Sequence, residues 1–142
     1  MAFGIVEWEA VSNHVGLVLV SHSAAIADGL AELVGQVAGP TVPIKTAGGG
    51  PAGTLGTDGG LVLEALRSVD GAGAVVLVDL GSSVLSVKAA LAELEAGEAT
   101  RFVLVDAPLV EGAIAAGVTA STGASLAEVA AAAEDARGVA KL

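Results

Sequence analysis

The sequence predicts an α/β fold: a three-layer sandwich with a mainly parallel central sheet of order 2-1-3-4 and helices on both faces. Three observations lead there. Four short apolar runs alternate with helical patterns along the chain. Most of these runs lack polar alternation, as strands covered on both faces do. Parallel strands joined through helices cross over right-handed, which leaves few strand orders open.

The elements follow in order. The first strand is predicted over residues 15–20, a run of Val, Gly and Leu. Ile26, Leu30, Leu33, Val34 and Val37 then recur at helical spacing, which predicts a first helix with those side chains inward. A second strand is predicted over 41–44. A long glycine-rich loop over 47–57 follows it (Ala-Gly-Gly-Gly-Pro-Ala-Gly-Thr-Leu-Gly-Thr). The second helix places Leu61, Ala65, Leu66 and Val69 on one side. The third strand is predicted over 74–78. The third helix carries Val84, Val87, Leu91 and Leu94 inward, with Ser83 as its N-cap. The fourth strand is predicted over 101–105. Pro108 suits the first turn of a helix running to Ala120. Ser125 and Glu128 form a capping box for a last, alanine-rich helix that reaches Arg137. Residues 1–13 read as an N-terminal extension and 14–142 as one domain.

Composition narrows the function. The chain has 142 residues, enough for one core. It is 54% hydrophobic, yet polar residues or glycine interrupt every apolar stretch, so a membrane span is not expected. Residues 1–13 carry Glu7 and Glu9 and no basic group, unlike a targeting signal, and a cytoplasmic location is expected. No cysteine is present, which excludes disulfides and thiolate metal sites. Sixteen acidic against six basic residues give a net charge of −10, a surface that repels nucleic acid and anionic lipid.

In open α/β sheets, ligands bind beyond the carboxyl ends of the strands, where the strand order reverses. With order 2-1-3-4 that point lies between the first and third strands. His22 and Asp79 follow those two strands. A carboxylate at one ring nitrogen sets the tautomer and leaves the other with a free lone pair, so the histidine itself can act as a nucleophile. Ser23 and Ser82–Ser83 lie at helix starts, where backbone N–H groups favour phosphate. Gly48 and Gly49 are expected to turn further amides inward, and Gly81, Ser82 and Ser83 to join them. Phosphoryl transfer needs little beyond such alignment and charge stabilisation. The residues alone leave blander roles open: His22 as a capping histidine, Asp79 as a helix cap, the glycine loop as a linker. That loop matches neither a Walker P-loop nor G-x-G-x-x-G. His14 precedes the first strand, at the opposite end of the sheet, and reads as structural or solvated. Lys45 follows the second strand in this reading and is a candidate to steer anions. No metal is expected, because no H-x-x-x-H or tight acidic group occurs.

Four motifs, Val-Leu-Val-Ser-His-Ser (18–23), Gly-Thr-Asp (56–58), Val-Asp-Leu-Gly-Ser-Ser (78–83) and Val-Asp-Ala-Pro-Leu-Val-Glu-Gly-Ala (105–113), together resemble the DhaM family. These are the phosphotransfer subunits of phosphoenolpyruvate-dependent dihydroxyacetone kinases, which serve glycerol metabolism and are related to mannose-type enzyme IIA. The resemblance spans about residues 15–137. It implies that His22 takes a phosphoryl group from phospho-HPr, itself charged by enzyme I. It implies that phospho-His22 passes the group to ADP on DhaL, which with DhaK phosphorylates dihydroxyacetone. Asp79 matches the carboxylate that orients the histidine in the mannose-type relatives. No cofactor is expected on this chain; ADP, ATP and magnesium belong on the partner subunit. A homodimer is expected, as is a single-domain form served by separate HPr and enzyme I. Delivery of phosphate to a mannose-type sugar permease is the alternative, and a non-catalytic regulatory domain is a third reading.

Overall fold

A computed structural model describes residues 13–142; of the expected extension, all but Asn13 lies outside them. Four strands form one parallel sheet in the order β2-β1-β3-β4: β1 (Gly16–Ser21), β2 (Ile44–Gly48), β3 (Ala74–Val78) and β4 (Phe102–Leu104). The expected order holds. Six helices accompany them among the described residues: α1 (Ala24–Ala38), α2 (Gly59–Arg67), α3 (Gly81–Ala92), α4 (Ala96–Ala99), α5 (Leu109–Ser121) and α6 (Leu126–Asp135).

The strands alternate faces, as period-two geometry requires. Leu17, Leu19, Val75 and Leu77 enter one core with Leu30 and Val34 of α1, Ala113 and Ala116 of α5, and Val129 of α6. Val18, Val20 and Val76 enter the other with Val62 and Leu66 of α2 and Val87 of α3. All six residues of β1 are buried. Each fully buried Val or Leu contributes about 1.5–3 kcal/mol of apolar transfer, so the central strands are rigid supports for whatever follows them.

Three expectations need correction. The second strand begins at Ile44, not residue 41, and continues through Lys45, Thr46 and Ala47 to Gly48. Pro43 has no amide to give a ladder; its carbonyl instead accepts from Leu17 N–H at 2.9 Å. The polar residues that disguise this strand are tolerated because β2 is at the sheet edge. Lys45 is therefore inside a strand, opposite Val18, and not in a loop beyond it.

The buried face of α1 is also rotated from the expected one. Ala27, Leu30, Val34 and Ala38 are buried, while Ile26, Leu33 and Val37 are about half exposed. Small residues win because neighbours come close. A Cβ on Gly117 of α5 would fall 2.7 Å from Val34 Cγ1, and one on Gly48 would fall 2.7 Å from Ala27 Cβ. In α2, Val62 is buried and Leu61 is not.

The third correction concerns Ser83. It does not cap α3; Leu80 occupies the cap position, and Ser83 is a buried residue inside the first turn. Pro108 stands at the N-cap of α5, one position before the helix. The Ser125–Glu128 capping box forms as expected. The 3-10 turn Pro51–Gly53 and the short helix α4 were not foreseen.

Candidate functional site

β1 and β3 are neighbours, with Val20 opposite Val78. His22 and Asp79 leave their carboxyl ends one or two residues later. The Asp79 amide still bonds the Val20 carbonyl at 3.2 Å, so the ladder itself delivers the carboxylate to the histidine. His22 Nδ1 lies 2.9 Å from Asp79 Oδ1. The imidazole is 26% exposed and the carboxylate side chain 15%, so the ring is supported from beneath and open from above.

The carboxylate has a full set of donors. Oδ2 accepts from the His22 amide at 2.9 Å and from the Ser21 hydroxyl at 2.9 Å. Oδ1 accepts from the Leu80 amide at 2.7 Å and the Ser83 hydroxyl at 3.1 Å. Burial alone would push the Asp79 carboxyl up. The His22 amide and imidazole, the Ser21 hydroxyl and the Leu80 amide outweigh it and bring the pKa down to about 2. Asp79 is thus an anion at neutral pH. An acceptor-only carboxylate facing Nδ1 requires that Nδ1 carry the proton. In the neutral ring Nε2 then holds the lone pair. The Ser82 hydroxyl sits 2.8 Å from it, the only direction left being to donate.

The other expected site residues divide. Ser83 contacts both partners, 3.2 Å from Nδ1 and 3.1 Å from Asp79 Oδ1. Gly81 and Ser82 open α3, where first-turn amides lack intrahelical acceptors. Ser23 caps α1, its hydroxyl accepting from the Ile26 amide at 3.3 Å. Gly48 closes β2 against α1, as the contacts of its Cβ position show. The Gly49 amide is held by the Ser21 carbonyl at 3.0 Å and so is not turned toward the ring, contrary to expectation. The Gly56 amide bonds the His22 carbonyl at 2.9 Å, which ties the glycine-rich loop to the backbone of the histidine. His14 lies before β1, at the end of the strand opposite to His22, as expected.

Ser21 escaped the sequence reading. It is buried, donates to Asp79 and accepts from the Ser23 amide at 3.1 Å. The available signal was a serine ending an otherwise apolar strand. Among the described residues no group of three His, Asp or Glu is placed to hold a metal ion. No described helix is long and apolar enough to cross a membrane.

A model of the EIIA-man family, described as the PTS system fructose IIA component, matches residues 16–130. The phosphoryl donor subunit DhaM of dihydroxyacetone kinase 2 from Listeria innocua is 36% identical over 105 residues, covering 73% of this chain and 84% of that protein. The chain belongs to the DhaM family of EIIA-man domains. DhaM of Providencia stuartii is 43% identical over 119 residues, which is 81% of this chain but 25% of that longer protein. Against this and other long DhaM relatives the chain spans about a quarter of their length. The crystal structure of protein EF1359, described as of unknown function, superposes with a TM-score of 0.79 at 36% identity, covering 86% of this chain and 94% of that one.

Proposed function

We propose that this DhaM-family domain, over residues 14–142, is a phosphohistidine carrier. His22 Nε2 accepts a phosphoryl group from phospho-HPr and hands it to ADP bound on DhaL. DhaL, with DhaK, then phosphorylates dihydroxyacetone. The supporting observation is the carboxylate-held imidazole: Nδ1 against an ionised Asp79 at 2.9 Å, with Nε2 turned to the exposed Ser82 hydroxyl. The neutral ring attacks phosphorus as the bond to the donor nitrogen breaks. Positive charge that develops on the imidazole is balanced by Asp79, which keeps its place through four other donors. Ser82 releases Nε2 and donates instead to a phosphoryl oxygen, joined by the first-turn amides of Gly81 and Ser82. Ser83 holds the Asp79–His22 pair together. ADP, ATP and magnesium are read as the partner's ligands. The cytoplasm and a homodimer are part of the same reading.

Incubation with enzyme I, HPr and phosphoenolpyruvate tests it. One acid-labile, base-stable phosphoryl group per chain is expected, absent from His22→Ala. Label that persists in that variant contradicts the assignment. The description of the matching family favours a second acceptor, a sugar permease component of the mannose type. Transfer from the phosphorylated domain to DhaL·ADP, measured against transfer to such a component, separates the two.

A further inference from the structure

In the resting site Ser82, His22 and Asp79 form a hydrogen-bonded chain, hydroxyl to imidazole to carboxylate. Ser82 Oγ is 2.8 Å from His22 Nε2, and His22 Nδ1 is 2.9 Å from Asp79 Oδ1. Ser82 is exposed at the start of α3, whereas Ser83 is buried and committed to Asp79. A hydroxyl at the free nitrogen of an imidazole whose other nitrogen is fixed by a carboxylate is the arrangement of an activated serine. We propose that these residues make Ser82 an acyl-accepting nucleophile toward small, activated carboxylic esters.

The step balances within the site. Ser82 Oγ attacks the ester carbonyl carbon as its proton passes to His22 Nε2. The bond to the leaving oxygen breaks, and the imidazolium returns the proton to the departing alcohol. Water, deprotonated by Nε2, then attacks the acyl group, releases the carboxylic acid and restores the Ser82 hydroxyl. The Ser83 amide bonds the Leu80 carbonyl at 3.0 Å, which leaves the Gly81 and Ser82 amides as donors to the oxyanion. A cleft of about 420 Å³ begins at Gly81. Its walls are apolar at Val78, Leu80, Val84 and Leu104 and charged at Lys88 and Asp106, which leaves room for a short acyl group along the apolar side. The inference does not rest on phosphotransfer. The same three side chains serve it by moving a proton where the carrier moves phosphorus.

The test is a fluorophosphonate probe with the protein alone at neutral pH, followed by peptide mapping. One adduct, on Ser82, is expected. It should vanish in Ser82→Ala and form on the order of 100-fold more slowly in His22→Gln, with both variants checked for native circular dichroism. Hydrolysis of p-nitrophenyl acetate should fall in parallel. No adduct, an adduct on another residue, or undiminished hydrolysis in Ser82→Ala overturns the proposal; the last would mean that His22 itself is attacking the ester. No phosphorylated relay protein is present, so a negative result leaves the carrier reading to its own relay assay.

Discussion

Two regions share the carboxyl edge of this sheet, and their composition misleads about their roles. The crevice between β1 and β3 holds few glycines but sends four side chains, Ser21, His22, Asp79 and Ser83, toward one another. The segment after β2 is rich in glycine, yet its amides are tied to backbone carbonyls: Gly49 to Ser21, Gly50 to Thr54 at 2.6 Å, Gly56 to His22. Glycine there solves a packing and turn problem. Gly49, Gly53 and Gly56 all take positive φ, and Gly48 lies against the start of α1. The crevice is the chemistry, and the loop is its scaffold. Changes in the first should alter transfer with the fold retained; changes in the second should cost stability and leave transfer nearly intact.

The largest effect belongs to the crevice. Asp79→Asn keeps the shape but can present an N–H to Nδ1, which favours the wrong tautomer. Phosphorylation of His22 in the reconstituted relay should slow on the order of 100-fold or more, with the circular dichroism spectrum retained. Unchanged transfer kinetics would remove the orienting role. Next is Gly48→Ala. Its new methyl would fall 2.7 Å from Ala27 Cβ and 2.8 Å from Ala24 Cα, and the latter is backbone that cannot swing aside. A loss of about 1–3 kcal/mol is expected, read as a lower midpoint in urea. Phosphorylation at a temperature where the variant is folded should stay within a few-fold of the parent. A large selective loss of transfer would mean that the loop does more than support.

Acid comes third. The Asp79 pKa is lowered from 3.8 to about 2 in the folded state. A depressed carboxylate adds stability that is complete above its unfolded value and disappears as pH falls through the folded one. About 2 kcal/mol should therefore be lost between roughly pH 4 and pH 2. Asp79→Asn should lack that component, which denaturant midpoints across the interval will show; parallel curves would refute the pairing. The smallest effect is at Ala52, the one described residue other than glycine with positive φ, at 56°. Ala52→Gly should change stability by less than about 1 kcal/mol and leave phosphorylation untouched. A clear change in transfer would make this turn part of the site.

The same contrast explains what could be read from the sequence. β1 and β3 are legible because a strand covered on both faces must be apolar throughout. From them follow the strand order and the meeting of His22 with Asp79. β2 begins three residues later than its apolar pattern predicts and ends four later, because an edge strand can carry Lys45 and Thr46. The face of α1 was misjudged because close approach to Gly48 and Gly117 selects Ala27 and Ala38 over Ile26 and Val37. Periodicity reports which residues are apolar, not how near the neighbour stands. Ser21 and the buried placement of Ser83 depend on hydrogen bonds across 58 and 61 positions of chain, which no local pattern carries. Gly49 looks like a phosphate ligand in the sequence because glycine marks an amide equally well whether or not a carbonyl has taken it.

The role of Asp79 turns on which ring nitrogen of His22 carries the proton. Nitrogen-15 NMR of the imidazole-labelled domain, before and after phosphorylation by the relay, addresses it directly. A proton on Nδ1 of His22 in the resting state and phosphorus coupled to Nε2 afterwards are the expected signals. A proton on Nε2 at rest, or phosphorus on Nδ1, would contradict the role given to Asp79.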